Sequence, residues 1–127
     1  MNIIVTSLFV DDQDKALKFY TDVLGFVKKH DVPAGNFRWI TVVSKNNENG
    51  TELVLEPNDN QAAQDYQNSL LQQGIPATMF GVNDIGKEYE RLKSHGVEFT
   101  MEPTAAGDIK LAMFNDTCGN LIQLIEQ

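Results

Sequence analysis

Residues 50–56 read GTELVLE, and residues 119–126 read GNLIQLIE. Each is a glycine followed by a run rich in apolar and β-branched residues, which is typical of a strand that follows a turn. Upstream of each run lie, in the same order, an apolar segment, a segment with helical spacing and further alternating segments. The sequence therefore predicts two copies of a βαβββ unit.

The helix of each copy has its own start and stop signals. The first follows Asp12 and is expected to end at Gly25, and the second follows Asn83 or Asp84 and is expected to end at Gly96. Side-chain oxygens of Asp and Asn accept hydrogen bonds from the free N–H groups that begin a helix, and glycine readily adopts the left-handed conformation that ends one. Both copies thus predict one helix that covers one sheet.

The fold class that follows is α+β, with tandem βαβββ modules forming cupped mixed sheets around a cleft. We expect a single domain, with module one over about 1–57, a connector over about 58–74 and module two over about 75–127. The connector is polar and rich in glutamine, and it predicts a short helix. Residues 103–108, PTAAGD, predict an irregular loop.

Composition excludes several classes of function. The 127 residues include 18 acidic and 10 basic side chains, and the net charge of −8 opposes binding to nucleic-acid phosphates. No apolar run approaches the roughly 18 residues of a membrane span, and the basic start of a secretory signal is missing. Cys118 is the single cysteine, so no internal disulfide can form. We expect a cytoplasmic protein without nucleic-acid or membrane partners.

The texts ALKFYTDVLGF, GTELVLE, EYERLKSHGVEF and DTCGN before LIQLIE, in this order and spacing, resemble the vicinal-oxygen-chelate superfamily. That superfamily includes glyoxalase I, extradiol dioxygenases, fosfomycin-resistance enzymes and bleomycin-binding proteins. The resemblance covers the whole chain. It implies the same tandem fold, a small-molecule ligand and a homodimer.

The resemblance also implies four metal-ligand positions, on the first and last strands of each half. These positions hold Val5, Glu56, Ala77 and Gln123 here. A catalytic divalent ion needs about three His, Asp, Glu or Cys donors, so three of the four places lack a good ligand. We therefore expect no metal and no other cofactor.

The two histidines do not restore a metal site. His95 lies in the last turn of the second helix, where an imidazolium meets the negative end of the helix dipole. His30 lies near the end of the second strand and is interpreted as a surface residue. Neither falls on a strand that carries ligands in the superfamily.

Glu56 is the most suggestive residue of the chain. Alternation along ELVLEP places Glu52, Val54 and Glu56 on one face, where they meet either solvent or a polar cavity. A carboxylate inside a cavity can accept a proton, which makes Glu56 the candidate catalytic base, or it can hold a cationic group. Gln123 interrupts an apolar strand in the same way, and the two are expected to occupy matching places in the halves.

Other residues are candidates to line the cleft. Trp39 offers a large flat apolar surface and faces opposite to its neighbour Arg38, which is the alternative anchor for an anionic ligand. Ser7 and Phe9 lie on the first strand of the first half, and Met79 lies on the first strand of the second half. The candidate ligand-binding set is Glu56, Gln123, Trp39, Ser7, Phe9 and Met79.

Three classes of function remain open. The favoured one is a small-molecule-binding protein of the glyoxalase/bleomycin-resistance type without a catalytic metal. The alternatives are a glyoxalase-like lyase or dioxygenase with displaced metal ligands, and a metal-independent enzyme that uses Glu56 as base.

Overall fold

The computed structural model describes all 127 residues, and the chain divides into two compact units, Met1–Gln64 and Asp65–Gln127. The elements, in chain order, are β1 (Val5–Val10), α1 (Gln13–Lys18, continued by a π-helical turn over Phe19–Val23), β2 (Val27–Ala34), β3 (Phe37–Val43), β4 (Glu52–Pro57), α2 (Gln61–Gln73), β5 (Thr78–Val82), α3 (Ile85–Ser94), β6 (Phe99–Ala106), β7 (Ile109–Asn115) and β8 (Leu121–Glu126). None of the helices is long and apolar enough to cross a membrane.

Each unit contains one four-stranded mixed sheet. The strand order is β1-β4-β3-β2 in the first sheet and β5-β8-β7-β6 in the second. The pairs β1 with β4 and β5 with β8 are parallel, and the other pairs are antiparallel. The predicted fold class, two βαβββ modules with mixed sheets, is confirmed.

Both module helices begin and end as the sequence predicts. The side chains of Asp12 and Asp84 each accept a hydrogen bond of 3.0 Å from the backbone N–H three residues later. Gly25 and Gly96 follow the helices with φ of +87° and +80°. Each helix therefore packs on one face of its own sheet, and the opposite face is left without a helix of the same βαβββ repeat.

The first core shows this arrangement. Ala16 and Tyr20 on the helix are fully buried, as are Val10 and Leu55 on the strands they cover. Alternation along a strand then directs the neighbouring side chains to the other face of the sheet. We call the faces opposite α1 and α3 the first and second open faces.

Two sequence expectations are corrected. The connector forms a helix of 13 residues, α2, rather than a short one. The segment 103–108 is not an irregular loop, because β6 continues to Ala106 and β7 starts at Ile109. Gly107 and Asp108 make a tight hairpin turn between them, with Gly107 at φ +65°.

Candidate functional site

The strand register fixes which residues share the first open face. Glu52 pairs with Val5, Val54 with Ser7, and Glu56 with Phe9 along the parallel strands β1 and β4. Paired residues project to the same side of a sheet. The three β4 residues that the sequence placed on one face therefore lie on the first open face.

The neighbouring strands β2 and β3 add an apolar patch to this face. Trp39 pairs with Val32, and their exposed fractions are 38% and 48%. Of the other predicted ligand contacts, Ser7 is exposed, whereas Phe9 and Glu56 are half-buried. The first open face thus brings together Trp39, Phe9, Ser7 and Glu56 of the candidate set.

A polar network lies beside that patch. His30 Nδ1 is 2.8 Å from Glu52 Oε1, and the Thr41 hydroxyl donates to the same oxygen over 2.7 Å. The Thr41 hydrogen bond and then the His30 hydrogen bond hold the pKa of the Glu52 carboxyl below its usual value. His30 lies in the middle of β2, not near its end. It is exposed at the surface, as expected, and its ring is paired with a carboxylate.

Glu52 is the residue that sequence reasoning failed to single out. Alternation placed it on the correct face, but only the register shows that it, and not Glu56, lies beside Val5. Glu56 is four residues farther along the strand, roughly 13 Å away at the rise of an extended chain. A ligand at position 5 and the Glu56 carboxylate are therefore too far apart to bind the same metal ion.

Arg38 does not reach the first open face. Its guanidinium donates to both carboxylate oxygens of Asp31, at 2.9 Å each, and also to Asp14 on α1. These carboxylates raise the pKa of Arg38, and the Arg38 hydrogen bond lowers the pKa of the Asp31 carboxyl. Arg38 is therefore paired with carboxylates of its own unit, on the face of the sheet that carries α1.

The second open face is rich in methionine. Gln123 pairs with Met79 on one side and with Met113 on the other, and Met113 pairs with Met101. Every methionine except Met1 therefore lies on this face. Met79 has an exposed fraction of 52%, and Gln123 is half-buried between the strands.

Gln123 and Glu56 do not occupy equivalent positions in the two βαβββ repeats. Met79 stands five residues before the helix-capping Asp84, just as Ser7 stands five before Asp12. Because Ser7 pairs with Val54, the counterpart of Gln123 in the first unit is Val54. The expected correspondence between Glu56 and Gln123 is wrong.

A hollow opens where α2 ends beside the second open face. Its volume is about 440 Å³, and its lining combines Met and Leu side chains with amide and hydroxyl groups. The lining residues are Leu71, Gln72, Gly74, Thr100, Met101, Met113, Asn115 and Leu121. Sequence reasoning missed this hollow, because its lining residues come from α2, β6, β7 and β8 and no local pattern links them.

A buried turn attaches α2 to the strand that borders the hollow. Asp116, fully buried, accepts hydrogen bonds from Cys118 N–H at 2.7 Å and Asn120 N–H at 3.0 Å. Gln67 on α2 donates to the Cys118 carbonyl and to Asn120 Oδ1. The DTCGN turn is therefore a structural element, and Cys118 within it is buried and has a structural role.

The residues present do not fit the metal that the superfamily uses. No group of three or more His, Cys, Asp or Glu side chains is placed to hold an ion. Val5 and Ala77 carry no donor atoms, and Gln123 offers only a neutral amide. The groups that these faces offer to a ligand are hydrogen-bonding and apolar side chains.

Comparison with known proteins agrees with this architecture. YurT of Bacillus subtilis (strain 168), which is uncharacterized, is 61% identical over 127 residues and is covered completely, as is this chain. The crystal structure of UcmS2 is 30% identical, with a TM-score of 0.87 over 100% of this chain and 98% of that one. TnmS3, an antibiotic binding protein from Streptomyces sp. CB03234, is 26% identical, with a TM-score of 0.76 over 99% of this chain and 95% of that one. The model of the Glyoxalase/Bleomycin resistance protein/Dioxygenase superfamily matches residues 2–124, and the chain belongs to that superfamily.

Proposed function

We propose that the protein binds a small, largely apolar molecule in the hollow on the second open face and releases it unchanged. The observation that carries this proposal is the methionine-lined hollow of about 440 Å³. Pockets for small molecules span roughly 300–1,000 Å³ and are mostly apolar with a few placed polar groups. The hollow lies within this size range, and its lining places polar groups beside Met and Leu side chains.

The chemistry of the lining supports a ligand with an irregular apolar surface. Methionine is unbranched and polarizable, so Met101 and Met113 can adjust to different shapes and contact aromatic rings. Asn115, Thr100 and Gln72 supply hydrogen-bonding groups at the border of the hollow. Such a lining favours an organic molecule with an apolar body and several polar substituents.

The similarity to TnmS3 supports binding without chemistry. That protein is an antibiotic binding protein of the same fold. Three of the superfamily's four metal positions lack a suitable donor, which supports the same interpretation, because one carboxylate alone does not hold a catalytic ion. In this proposal, the protein sequesters its ligand without changing it.

The residues selected from the sequence lie on the open faces of the two units. Gln123 and Met79 continue the second open face beyond the hollow, and Trp39, Phe9, Ser7 and Glu56 form the corresponding surface of the first unit. Within the proposal, Glu56 holds a cationic or hydrogen-bond-donating group of a ligand, since an ionised carboxylate is an acceptor only. Glu56→Gln is then expected to weaken such a ligand by roughly tenfold to a hundredfold.

A homodimer is part of the same proposal. Each sheet has edge strands, β1 and β2 in the first and β5 and β6 in the second. Edge strands carry unpaired backbone groups that other chains can cover, and most soluble homo-oligomers are two-fold dimers. Native mass spectrometry at micromolar concentration should give twice the chain mass of 14.2 kDa, and a strictly monomeric mass would count against it.

The hollow itself is tested by ligand binding to matched variants. A panel of aromatic antibiotics and apolar metabolites is screened by thermal shift, and hits are titrated by calorimetry. Met113→Gln should weaken a hit about tenfold or more, because a polar amide replaces an apolar lining group. Ile75→Gln, an exposed apolar residue outside the lining, should leave binding unchanged.

Met79→Gln then shows whether the ligand extends beyond the hollow. A weaker hit in this variant places the ligand along Gln123 as well, because the two residues are paired. Equal affinities of Met113→Gln and wild type for every hit would reject the hollow as the binding site.

A further inference from the structure

His30 has one ring nitrogen fixed by the fold and the other one free. Nδ1 lies 2.8 Å from Glu52 Oε1, and an ionised carboxylate only accepts hydrogen bonds. The proton of the neutral ring therefore lies on Nδ1, which leaves Nε2 as an acceptor. Nε2 itself forms no hydrogen bond in the structure.

The carboxylate that orients the ring is itself held in place. Thr41, which is fully buried, donates to Glu52 Oε1 over 2.7 Å, and the Glu52 side chain is only 17% exposed. The Thr41 and His30 hydrogen bonds keep the pKa of the Glu52 carboxyl low, so the acceptor stays ionised. An ordinary surface histidine has no such support, and His95 contacts only a backbone carbonyl and a serine hydroxyl.

Exposed apolar side chains occupy strand positions next to His30 on the same face. His30 pairs with Thr41, and Trp39 stands two residues before Thr41 on β3, diagonally across from His30. Diagonal neighbours of this kind lie roughly 7–8 Å apart, within reach of aromatic side chains. Trp39 and its partner Val32 are both well exposed, so one flat molecule can lie on them and reach the imidazole.

We propose that His30 Nε2, Trp39 and Val32 form a binding site for a planar aromatic compound that carries a hydroxyl group. The hydroxyl donates a hydrogen bond to Nε2, and the ring packs on the Trp39 indole. Glu52 is a positioning residue, since it sets which nitrogen of His30 is free. All of these residues belong to the first unit, whereas the residues that line the hollow belong to the second.

The experiment uses nitrogen-15 NMR of the full chain, which has two histidines and one tryptophan. His95→Gln assigns the imidazole signals. At a pH where titration shows both rings neutral, the nitrogen shifts of His30 should report a proton on Nδ1. Two probes, 6-hydroxyquinoline and 6-methoxyquinoline, are then titrated, with the Trp39 indole signal reporting stacking and His30 Nε2 reporting the hydrogen bond.

The hydroxyl compound should shift both signals and bind roughly threefold to tenfold more tightly than its methyl ether, the value of one net hydrogen bond. His30→Leu should reduce the affinity for 6-hydroxyquinoline to that for 6-methoxyquinoline and leave the latter unchanged. Glu52→Gln should give a mixture of the two neutral tautomers and an intermediate affinity. A purely structural role of Glu52 would not change the tautomer.

The proposal is overturned by any of three results. These are equal affinities for the two quinolines in the wild-type protein, unchanged binding in a folded His30→Leu variant, and no shift of the Trp39 signal at millimolar 6-hydroxyquinoline. The first and third need no variant, so a folding defect cannot hide the answer.

Discussion

Replacing Asp116 by alanine tests whether the buried turn holds the second unit together. The carboxylate accepts hydrogen bonds from Cys118 N–H at 2.7 Å, Asn120 N–H at 3.0 Å and Asn120 Nδ2 at 2.8 Å. Asp116 is 0% exposed, so alanine would leave these donors without this acceptor in a site away from solvent. An unsatisfied buried group costs about 1–3 kcal/mol, and such costs are not additive within one turn. We expect a loss of about 3–5 kcal/mol.

Asp116→Asn separates the hydrogen bonds from the charge. Asparagine keeps one carbonyl oxygen for the two backbone donors but places an amino group against Asn120 Nδ2. Asn120 cannot turn its oxygen toward that amino group, because Asn120 Oδ1 already accepts from Gln67 Nε2 over 3.0 Å. The expected loss is therefore smaller, about 1–2 kcal/mol.

Urea unfolding followed by circular dichroism measures both losses, with an unchanged m-value as evidence that the variants unfold from the same state. For a chain of this size, about 3–5 kcal/mol corresponds to a decrease in Tm of roughly 10–20 °C. Asp59→Ala, an exposed carboxylate outside any helix or strand, is the control and should change little. Equal losses for Asp116→Ala and Asp116→Asn, or a loss below about 1 kcal/mol for alanine, would refute the reasoning.

Three further outcomes are expected. The folded-state pKa of the Glu52 carboxyl lies below its ordinary value of 4.5, so Glu52 stabilises the fold above pH 4.5 and this contribution is lost as pH falls through the folded-state pKa. Glu52→Gln should therefore reduce the loss of unfolding free energy on the acid side of a stability-versus-pH profile. Parallel profiles for the variant and the wild type would contradict this. Gly119→Ala should lower the free energy of unfolding in urea by at least about 1 kcal/mol, because Gly119 has φ +100° and an added Cβ would lie 2.8 Å from Gln67 Nε2. Gly81→Ala is the control, since a Cβ at Gly81 would meet open space. Protein purified without chelator should contain well under one equivalent of zinc, nickel, iron or manganese, and EDTA should leave its Tm unchanged, because three of the superfamily's four metal positions lack an ionisable donor. A stoichiometric metal lost on chelation would show that displaced ligands exist.

The sequence by itself determined the two βαβββ units and the ends of their helices. Asp12 and Asp84 cap helices because their short side chains reach the free N–H groups, and no distant contact is needed for this. Alternation along β4 placed Glu52, Val54 and Glu56 on one face for the same reason, since side-chain direction follows from the local backbone. Net charge and cysteine count were also properties of the chain alone.

Only the tertiary structure decided which of those residues meet. β1 and β4 are parallel neighbours separated by two other strands in sequence, so their register is set by packing of the whole unit and not by a turn between them. That register brings Glu52 rather than Glu56 next to Val5, and joins Glu52 to His30 and Thr41. The hollow has the same origin, because Leu71 on α2 and Met101 and Met113 on β6 and β7 come from three separate elements, and local sequence patterns do not specify such an assembly.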